Sequence, residues 1–180
     1  MKRLLGVDAL DAAHYLEDFS PAPRRLETIQ VGSVTVISDV AMNRGSYDAV
    51  MQSVAVLGKP LVVVNALRGN RGLEVNADIA RVLSEWDRRL HFQPLIVTSS
   101  DSHVQRLSVD YQVRPEEREA FLSAASQCGL TVEVHAELAD ALDEALARLP
   151  ENGLLLLLGT FGMDDGLKMA EEKLRNGVAP

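Results

Sequence analysis

Four short, almost purely apolar segments recur along the chain, and amphipathic helical patterns separate them. Such segments are typical of strands that are buried on both faces of a parallel sheet. Alternating strands and helices imply right-handed crossovers with helices on both faces. The sequence therefore predicts an α/β fold with a Rossmann-like, mostly parallel sheet. The predicted strands are 61–65, 94–98, 130–134 and 154–158, and the predicted helices are 46–57, 74–86, 115–127, 137–148 and 166–175.

Two more predicted strands, 26–31 and 34–38, flank Gly32-Ser33 and suit a short β-hairpin that opens the sheet. Upstream, residues 8–19 have the pattern of an amphipathic helix, and two prolines predict an extended linker after it. A chain of 180 residues fits one domain. We therefore expect residues 1–24 to be a linker or the tail of a preceding domain, and residues 25–180 to form the α/β domain.

Composition and charge exclude several classes of protein. The formal net charge is −8, and the arginines are scattered in pairs, which argues against binding to a nucleic-acid backbone. Cys128 is the only cysteine, so no disulfide can form within the chain. Asp8 interrupts the apolar core that a signal peptide needs, and the longest apolar run is far shorter than the roughly 20 residues that span a bilayer. We expect a cytoplasmic protein with neither a nucleic-acid nor a membrane partner.

Small and polar residues follow the predicted strands, at the sheet edge where open α/β proteins bind ligands. The most distinctive group is residues 65–72, which carry Arg68 and Arg71 between glycines. Arginine forks suit phosphate or carboxylate, and glycine lets the backbone approach a ligand closely. A flexible loop with solvated arginines would have the same composition, so both interpretations stay open.

Several common chemistries lack their sequence patterns. No phosphate-binding loop is present, because Pro60 follows Gly58-Lys59 where a hydroxyl residue is needed. The four histidines lie in separate elements, so no metal-ligand spacing occurs. Ser99, Ser100, Asp101 and His135 form a serine–histidine–aspartate set only on paper, because no nucleophile-elbow glycines surround either serine. We assign no catalytic residue and no metal site.

Asp39-Val40-Ala41-Met42-Asn43 resembles the Asp-x-Ala-His-Asn-Pro turn that opens the C-terminal domain of Mur ligases and folylpolyglutamate synthases. Residues 23–27 are similar to the family's Pro-Gly-Arg-x-Glu segment, and 95–99 resemble its strand that ends in Thr-Ser. Residues 139–160 resemble its final helix, apolar strand and Gly-Lys-Gly loop. The order of these segments is right, and the resemblance spans roughly residues 20 to 165.

The chain departs from the family pattern at defined positions. Met42 stands in place of histidine, Arg44 in place of proline and Arg24 in place of glycine. Residues 100–103 replace an Asp-Asn-Pro-Arg loop that one branch uses to recognise diaminopimelate, and Thr160-Phe161 replace the lysine-containing end of Gly-Lys-Gly. These changes indicate a divergent branch or an altered substrate.

The resemblance implies a function that the chain performs as part of a larger enzyme. Family members use ATP to activate a substrate carboxylate, which an amine then attacks, in peptidoglycan or polyglutamate synthesis. The resemblance implies that this chain is the substrate-side domain, that it is inactive alone, and that ATP and Mg serve only the complete enzyme. The implied partners are an ATP-binding central domain, in cis or as a separate subunit, and a small-molecule amino-acid substrate.

The same resemblance suggests which residues bind the ligands. Cofactor-binding roles fall to Arg25, Asp39 and Asn43, and substrate-binding roles to Arg68, Arg71, Thr98, Ser99 and Asp101. Two other interpretations stay open. The chain can be a stand-alone, non-catalytic ligand-binding or regulatory module on the same scaffold, or an unrelated small α/β enzyme with its site at the same sheet edge.

Overall fold

The computed structural model describes residues 24–92 and 94–177. The helix predicted at 8–19 and nearly all of the predicted linker lie outside these residues. The strands are β1 (Glu27–Val31), β2 (Val34–Asp39), β3 (Leu61–Ala66), β4 (Leu95–Thr98), β5 (Val132–His135) and β6 (Leu154–Leu158). The helices are α1 (Arg44–Ala55), α2 (Leu73–Leu90), α3 (Asp101–Leu107), α4 (Pro115–Gln127), α5 (Leu138–Arg148) and α6 (Gly166–Arg175).

The six strands form one sheet in the order β1-β2-β6-β3-β4-β5. β1 and β2 pair antiparallel as a hairpin, and every other neighbouring pair is parallel. This confirms the predicted Rossmann-like sheet and its opening hairpin. The register places Asp39 and Asn65 beside Leu158, on either side of β6. The carboxyl ends of the parallel strands therefore bring the predicted site loops to one edge.

Two apolar layers cover the sheet, and β6 shows how. Leu154, Leu156 and Leu158 pack among residues of α1, α2 and α4, whereas Leu155 and Leu157 pack among residues of α5 and α6. All five leucines are completely buried, and each contributes about 1.5–3 kcal/mol to folding. Successive strand residues face opposite layers, so an uninterrupted apolar run is what this central strand requires.

Three local details differ from the sequence prediction. Helix α3 and a 3₁₀ turn at Val109–Tyr111 follow β4, where no element was predicted. Strand β5 begins two residues late, because the N–H of Leu130 donates to the carbonyl oxygen of Ala125 and belongs to the end of α4. Helix α2 continues to Leu90, beyond its predicted end. Among the described residues, none of the helices has the length and apolar character that a membrane crossing requires.

Candidate functional site

The arginine loop (residues 67–72) follows β3 and packs against the segment that leads into α4. The N–H of Leu67 donates to the Thr98 carbonyl oxygen at 2.8 Å, and that of Gly69 to the Tyr111 carbonyl oxygen at 3.2 Å. A Cβ atom on Gly69 would lie 1.9 Å from the carbonyl oxygen of Gln112, so only glycine permits this approach. These contacts give the loop a defined position.

Arg68 lies against two aromatic rings at the mouth of the sheet edge. Its guanidinium carbon is 4.4 Å from the ring centroid of Phe161 and 5.6 Å from that of Tyr111, and the two rings stack at 4.2 Å. Cation–π contacts of this kind hold a guanidinium in place. Partial burial lowers the pKa of Arg68, and the charge of Arg71 acts in the same direction. Arginine titrates so far above neutral pH that Arg68 keeps its charge.

A cavity of about 20 Å³ lies beside the arginine loop, between the carboxyl ends of β2, β3 and β6. Its lining includes Asn65, which is 1% exposed and accepts a 2.6 Å hydrogen bond from the hydroxyl of Tyr47. Burial raises the pKa of Tyr47, and the charge of Asp39 raises it further, so the hydroxyl keeps the proton that it donates. This hydrogen bond fixes the orientation of the Asn65 amide, and the amide nitrogen Nδ2 takes no part in it.

Two donors on residues that line this cavity have no acceptor in the described part of the chain. Nδ2 of Asn65 and Nε of Arg68 are both buried, and neither has a hydrogen-bond partner among residues 24–92 and 94–177. A buried donor without a partner costs about 1–3 kcal/mol. The space matches one water-sized group, which needs little more than about 10–15 Å³. One oxygen atom of a carboxylate or phosphate therefore suits the cavity in size and chemistry.

Asp39, at the end of β2, anchors the incoming segment (residues 24–26). Its Oδ2 accepts the N–H of Leu26 at 3.0 Å, and its Oδ1 lies 3.6 Å from Nη1 of Arg25. Burial raises the pKa of Asp39, and the Leu26 N–H and the Arg25 charge oppose that rise in part. The side chain of Arg25 stays 43% exposed. Asp39 thus holds the incoming segment through the N–H of Leu26 and the guanidinium of Arg25.

Asn43 caps α1. Its Oδ1 accepts the N–H of Ser46 at 3.1 Å, and Oγ of Ser46 accepts the N–H of Asn43 at 3.0 Å, which forms a reciprocal capping box. Next to it, Sδ of Met42 accepts a 3.2 Å hydrogen bond from Nη2 of Arg71. The turn after β2 and the arginine loop are therefore in direct contact.

The residues after β4 contact Arg118, a cation that the sequence did not predict at this edge. Oγ of Ser99 accepts a 3.0 Å hydrogen bond from Nη2 of Arg118, and Asp101 lies 4.0 Å from the same nitrogen. Thr98 is fully buried, and its hydroxyl oxygen accepts the N–H of Ser100. Arg118 follows these residues by almost twenty positions on α4, and no local pattern joins it to them. Thr98 and Ser99 are buried beneath this part of the sheet edge.

The serine–histidine–aspartate set does not assemble around Ser99. His135 is the register partner of Thr98, so their side chains share one face of the sheet. The side chain of Ser99 follows on the opposite face, where it meets Arg118. A separate polar group joins α3 to the loop after β6, with Nδ1 of His103 3.3 Å from Oδ2 of Asp165. Within residues 24–92 and 94–177, no three His, Cys, Asp or Glu side chains are placed to share a metal ion.

A family profile described as "Mur ligase, glutamate ligase domain" matches residues 24–161, which is more than half of the chain. The chain belongs to the Mur ligase family. No curated protein matches the sequence significantly. The motifs that suggested the family lie within the matched residues, from Arg24 to Phe161, and the predicted recognition is confirmed.

Solved Mur ligase structures share the fold. The murein peptide ligase of Psychrobacter arcticus is 15% identical with a TM-score of 0.64, covering 98% of this chain and 35% of its own. The UDP-N-acetylmuramate–alanine ligase of Thermotoga maritima is 16% identical with a TM-score of 0.66, and the match covers 96% of this chain and 34% of the ligase. The folylpolyglutamate synthase of the same organism is 18% identical with a TM-score of 0.59, and the match covers 96% of this chain and 35% of the synthase. The chain thus spans about a third of the length of these relatives and has the fold of their C-terminal domains.

The departures from the Mur ligase pattern have structural counterparts. Arg24, at the glycine position, has a φ of 63°, a conformation that glycine adopts freely. Arg44, at the proline position, contacts Glu85 and lies 3.7 Å from Asp78 of α2. Phe161 stands in the loop where the family pattern has lysine, and Arg68 lies over its ring. A cation from the loop after β3 therefore lies beside the loop after β6.

Proposed function

We propose that this chain is the substrate-side domain of an ATP-dependent carboxylate–amine ligase. It acts on a small-molecule amino-acid substrate in the cytoplasm, together with an ATP-binding domain that is linked in cis or is a separate subunit. The observation that carries the proposal is the pair of unpartnered donors, Nδ2 of Asn65 and Nε of Arg68, beside one cavity at the ligand-binding edge. We further propose that residues 25–180 form the working domain and residues 1–24 its linker.

On this proposal the arginine loop holds an anionic group of the substrate. One oxygen enters the cavity and accepts from Asn65 and Arg68, while the charge of Arg71 lies at the rim. Hydrogen bonds between charged groups are roughly twice as strong as neutral ones, and the cation–π contacts fix Arg68 before the substrate arrives. The loop would thereby orient the carboxylate and exclude water from one of its oxygens.

The residues after β4 extend the proposed substrate surface. Asp101 is 47% exposed beside Arg118, so together they present both signs of charge to a zwitterionic amino acid. Thr98 and Ser99 would act from beneath, since both side chains are buried and Ser99 binds Arg118. Their proposed contribution is to fix the position of the Arg118 guanidinium.

Arg25, Asp39 and Asn43 form the proposed nucleotide side of the domain. Arg25 is the exposed cation, and Asp39 sets its direction through the incoming segment. Asn43 fixes the start of α1. ATP, bound in the complete enzyme, would supply the phosphoryl group that activates the substrate carboxylate. The described residues offer no metal ligand set, which supports a Mg site on the ATP-binding domain.

Titration of the chain with L-glutamate, D-glutamate, alanine and diaminopimelate tests the proposal. Binding should shift the NMR signals of the Asn65 side-chain amide and of the Arg68 Nε–H. Arg68→Ala should abolish the shift of the Asn65 amide signal, whereas Arg88→Ala, an exposed position on α2, should preserve the shifts of both signals. If none of the four amino acids moves either signal, the arginine loop is not the substrate site. Micromolar binding without a partner domain would instead favour a stand-alone binding module.

A further inference from the structure

Glu117 places a buried carboxylate behind the arginine loop. The residue is 4% exposed and lies in the first turn of α4. Its Oε1 accepts the N–H of Arg71 at 3.2 Å and that of Gly72 at 3.3 Å. Its Oε2 accepts the N–H of Arg114 at 3.1 Å. One side chain thus binds three backbone donors from two segments that lie far apart in the sequence.

We propose that Glu117 is a positioning residue for the anion site of the arginine loop. It does not touch the ligand. It fixes the backbone at Arg71 and Gly72, and through them the directions in which Arg68 and Arg71 extend. This inference rests on the proposed function of the arginine loop, because it specifies what gives that loop its binding geometry.

Side chains from two helices hold the end of the arginine loop, where α2 begins. Gly72 is the N-cap of α2 and has no side chain to bind the exposed amides. Glu117 of α4 binds two amides at this point. On the other side, Nδ2 of Asn76 donates to the carbonyl oxygens of Arg68 and Gly72 at 3.3 Å. The loop is therefore held through its N–H groups by one helix and through its carbonyl groups by another.

Charge and position predict opposite effects of removing the Glu117 carboxylate. A negative charge close to two arginines opposes the binding of an anion, so on Coulombic grounds its loss should strengthen binding. Loss of the acceptor oxygens frees the loop and should weaken binding. Because glutamine keeps one acceptor oxygen, which could still bind both loop amides, the replacement must be methionine, which is of similar length and accepts no strong hydrogen bond. The sign of the change in affinity therefore distinguishes a positioning residue from a nearby charge.

The test compares Glu117→Met, which removes both acceptor oxygens, with Glu116→Met, which makes the same charge change at the adjacent, exposed position. Amide hydrogen exchange at Arg71 and Gly72 should be about tenfold or more faster in Glu117→Met, and unchanged in Glu116→Met. Protection at Ala124 within α4 should persist in both variants, which would show that the helix remains folded. Unchanged exchange at the two loop amides in Glu117→Met would overturn the inference.

Affinity gives the second reading, with inorganic phosphate as the probe and the Asn65 amide signal as the reporter. Glu117→Met should bind phosphate several-fold more weakly than the wild type, while Glu116→Met should bind it equally or slightly more tightly. Equal or tighter binding by Glu117→Met would contradict the positioning role. If the wild type does not bind phosphate, the anion site itself fails, and the exchange rates alone decide the role of Glu117.

Glu117→Asp covers the case in which Glu117→Met does not fold. It keeps the charge and withdraws the carboxylate by one methylene, so the loop amides should exchange faster here as well. The wild type supplies a reading that needs no variant. Rapid, unprotected exchange at both Arg71 and Gly72 in the unmodified chain would overturn the inference directly.

Discussion

The sulfur of Met42 accepts a hydrogen bond from Nη2 of Arg71 at 3.2 Å. This contact joins the turn after β2 to the arginine loop, the two regions to which we assign the nucleotide and the substrate. Met42 stands where the family pattern has histidine, so a weak, proton-free acceptor occupies a position at which an ionisable ring would otherwise face a guanidinium. The substitution leaves Arg71 bound to a partner that a stronger acceptor can displace.

Met42→Leu should release Arg71 with little effect on stability. Leucine has a similar volume and no acceptor atom, so the free energy of unfolding should change by less than about 1.5 kcal/mol. The ¹⁵N relaxation of Arg71 Nε should report faster side-chain motion. Met169→Leu on α6 is the matched control and should leave Arg71 unchanged. An equally ordered Arg71 in Met42→Leu would show that the sulfur does not hold it.

Arg24 should tolerate glycine better than alanine. Its φ of 63° costs an L-residue about 1–2 kcal/mol, and both variants lose the ion pair with Asp164. Urea unfolding should therefore find Arg24→Gly about 1 kcal/mol more stable than Arg24→Ala, the reverse of the usual order. Equal stability of the two variants would mean that the backbone at Arg24 is not strained.

Gly69→Ala should destabilise the fold by about 1–3 kcal/mol, because the new Cβ would lie 1.9 Å from the Gln112 carbonyl oxygen. Gly45→Ala is the control. Its Cβ would meet only Oδ1 of Asn43 at 3.6 Å, so helix α1 should gain about 0.5–1 kcal/mol. Thermal or urea unfolding of both variants measures the contrast. A Gly69→Ala variant as stable as the wild type would mean that the arginine loop does not pack as described.

Asp39 should contribute a pH-dependent part of the free energy of unfolding. Because burial raises its pKa above the usual 3.8, the folded state binds the proton more tightly than the unfolded state does. That contribution is complete below about pH 3.8 and is lost as the pH rises through the raised pKa of the folded state.

Asp39→Asn removes this titration, so its stability relative to the wild type should increase as the pH rises from 3.5 to 7, about the span over which a raised carboxyl pKa titrates. Urea unfolding across that range measures the difference. Asp110→Asn, at an exposed site, serves as the control for the charge change alone. A stability difference between Asp39→Asn and the wild type that falls as the pH rises would contradict the raised pKa.

The chain alone should not catalyse ligation. Its sequence has no phosphate-binding loop, and in the proposed function a separate domain binds the ATP. Phosphate release from ATP should therefore stay at the background rate with Mg and any of the amino acids named above. The Thermotoga maritima UDP-N-acetylmuramate–alanine ligase, with its own substrates, is the positive control for the assay. Measurable turnover by the chain would refute the prediction.

The sheet was predictable because its signal is local. The leucines of β6 are buried on both faces of the sheet, so the strand is an uninterrupted apolar run. That run is visible in the sequence and predicts the strand directly. Helix α3 gave no such signal, since among its seven residues only Val104 is buried. A short polar helix held by one apolar contact has no periodicity to detect.

The candidate site was predictable only in part, for a related reason. Asp39, Arg68 and Ser99 follow strands, and the α/β topology alone places them at one edge. Arg118 and Glu117 reach the same edge from the first turns of α4. Arg118 lies 19 residues from Ser99, and Glu117 lies 46 residues from Arg71, so these contacts depend on how α4 packs in the fold rather than on any nearby pattern.

The incoming segment lies at the same sheet edge as the cavity, held there by Asp39 and by the pairing of Arg24 with Asp164. A module tethered upstream of Arg24 would therefore start at the ligand's side of the domain. Short flexible tethers give local concentrations in about the millimolar range. Even a weak contact between such a module and this edge would then be occupied most of the time, and the tether would supply what the interface itself lacks in affinity.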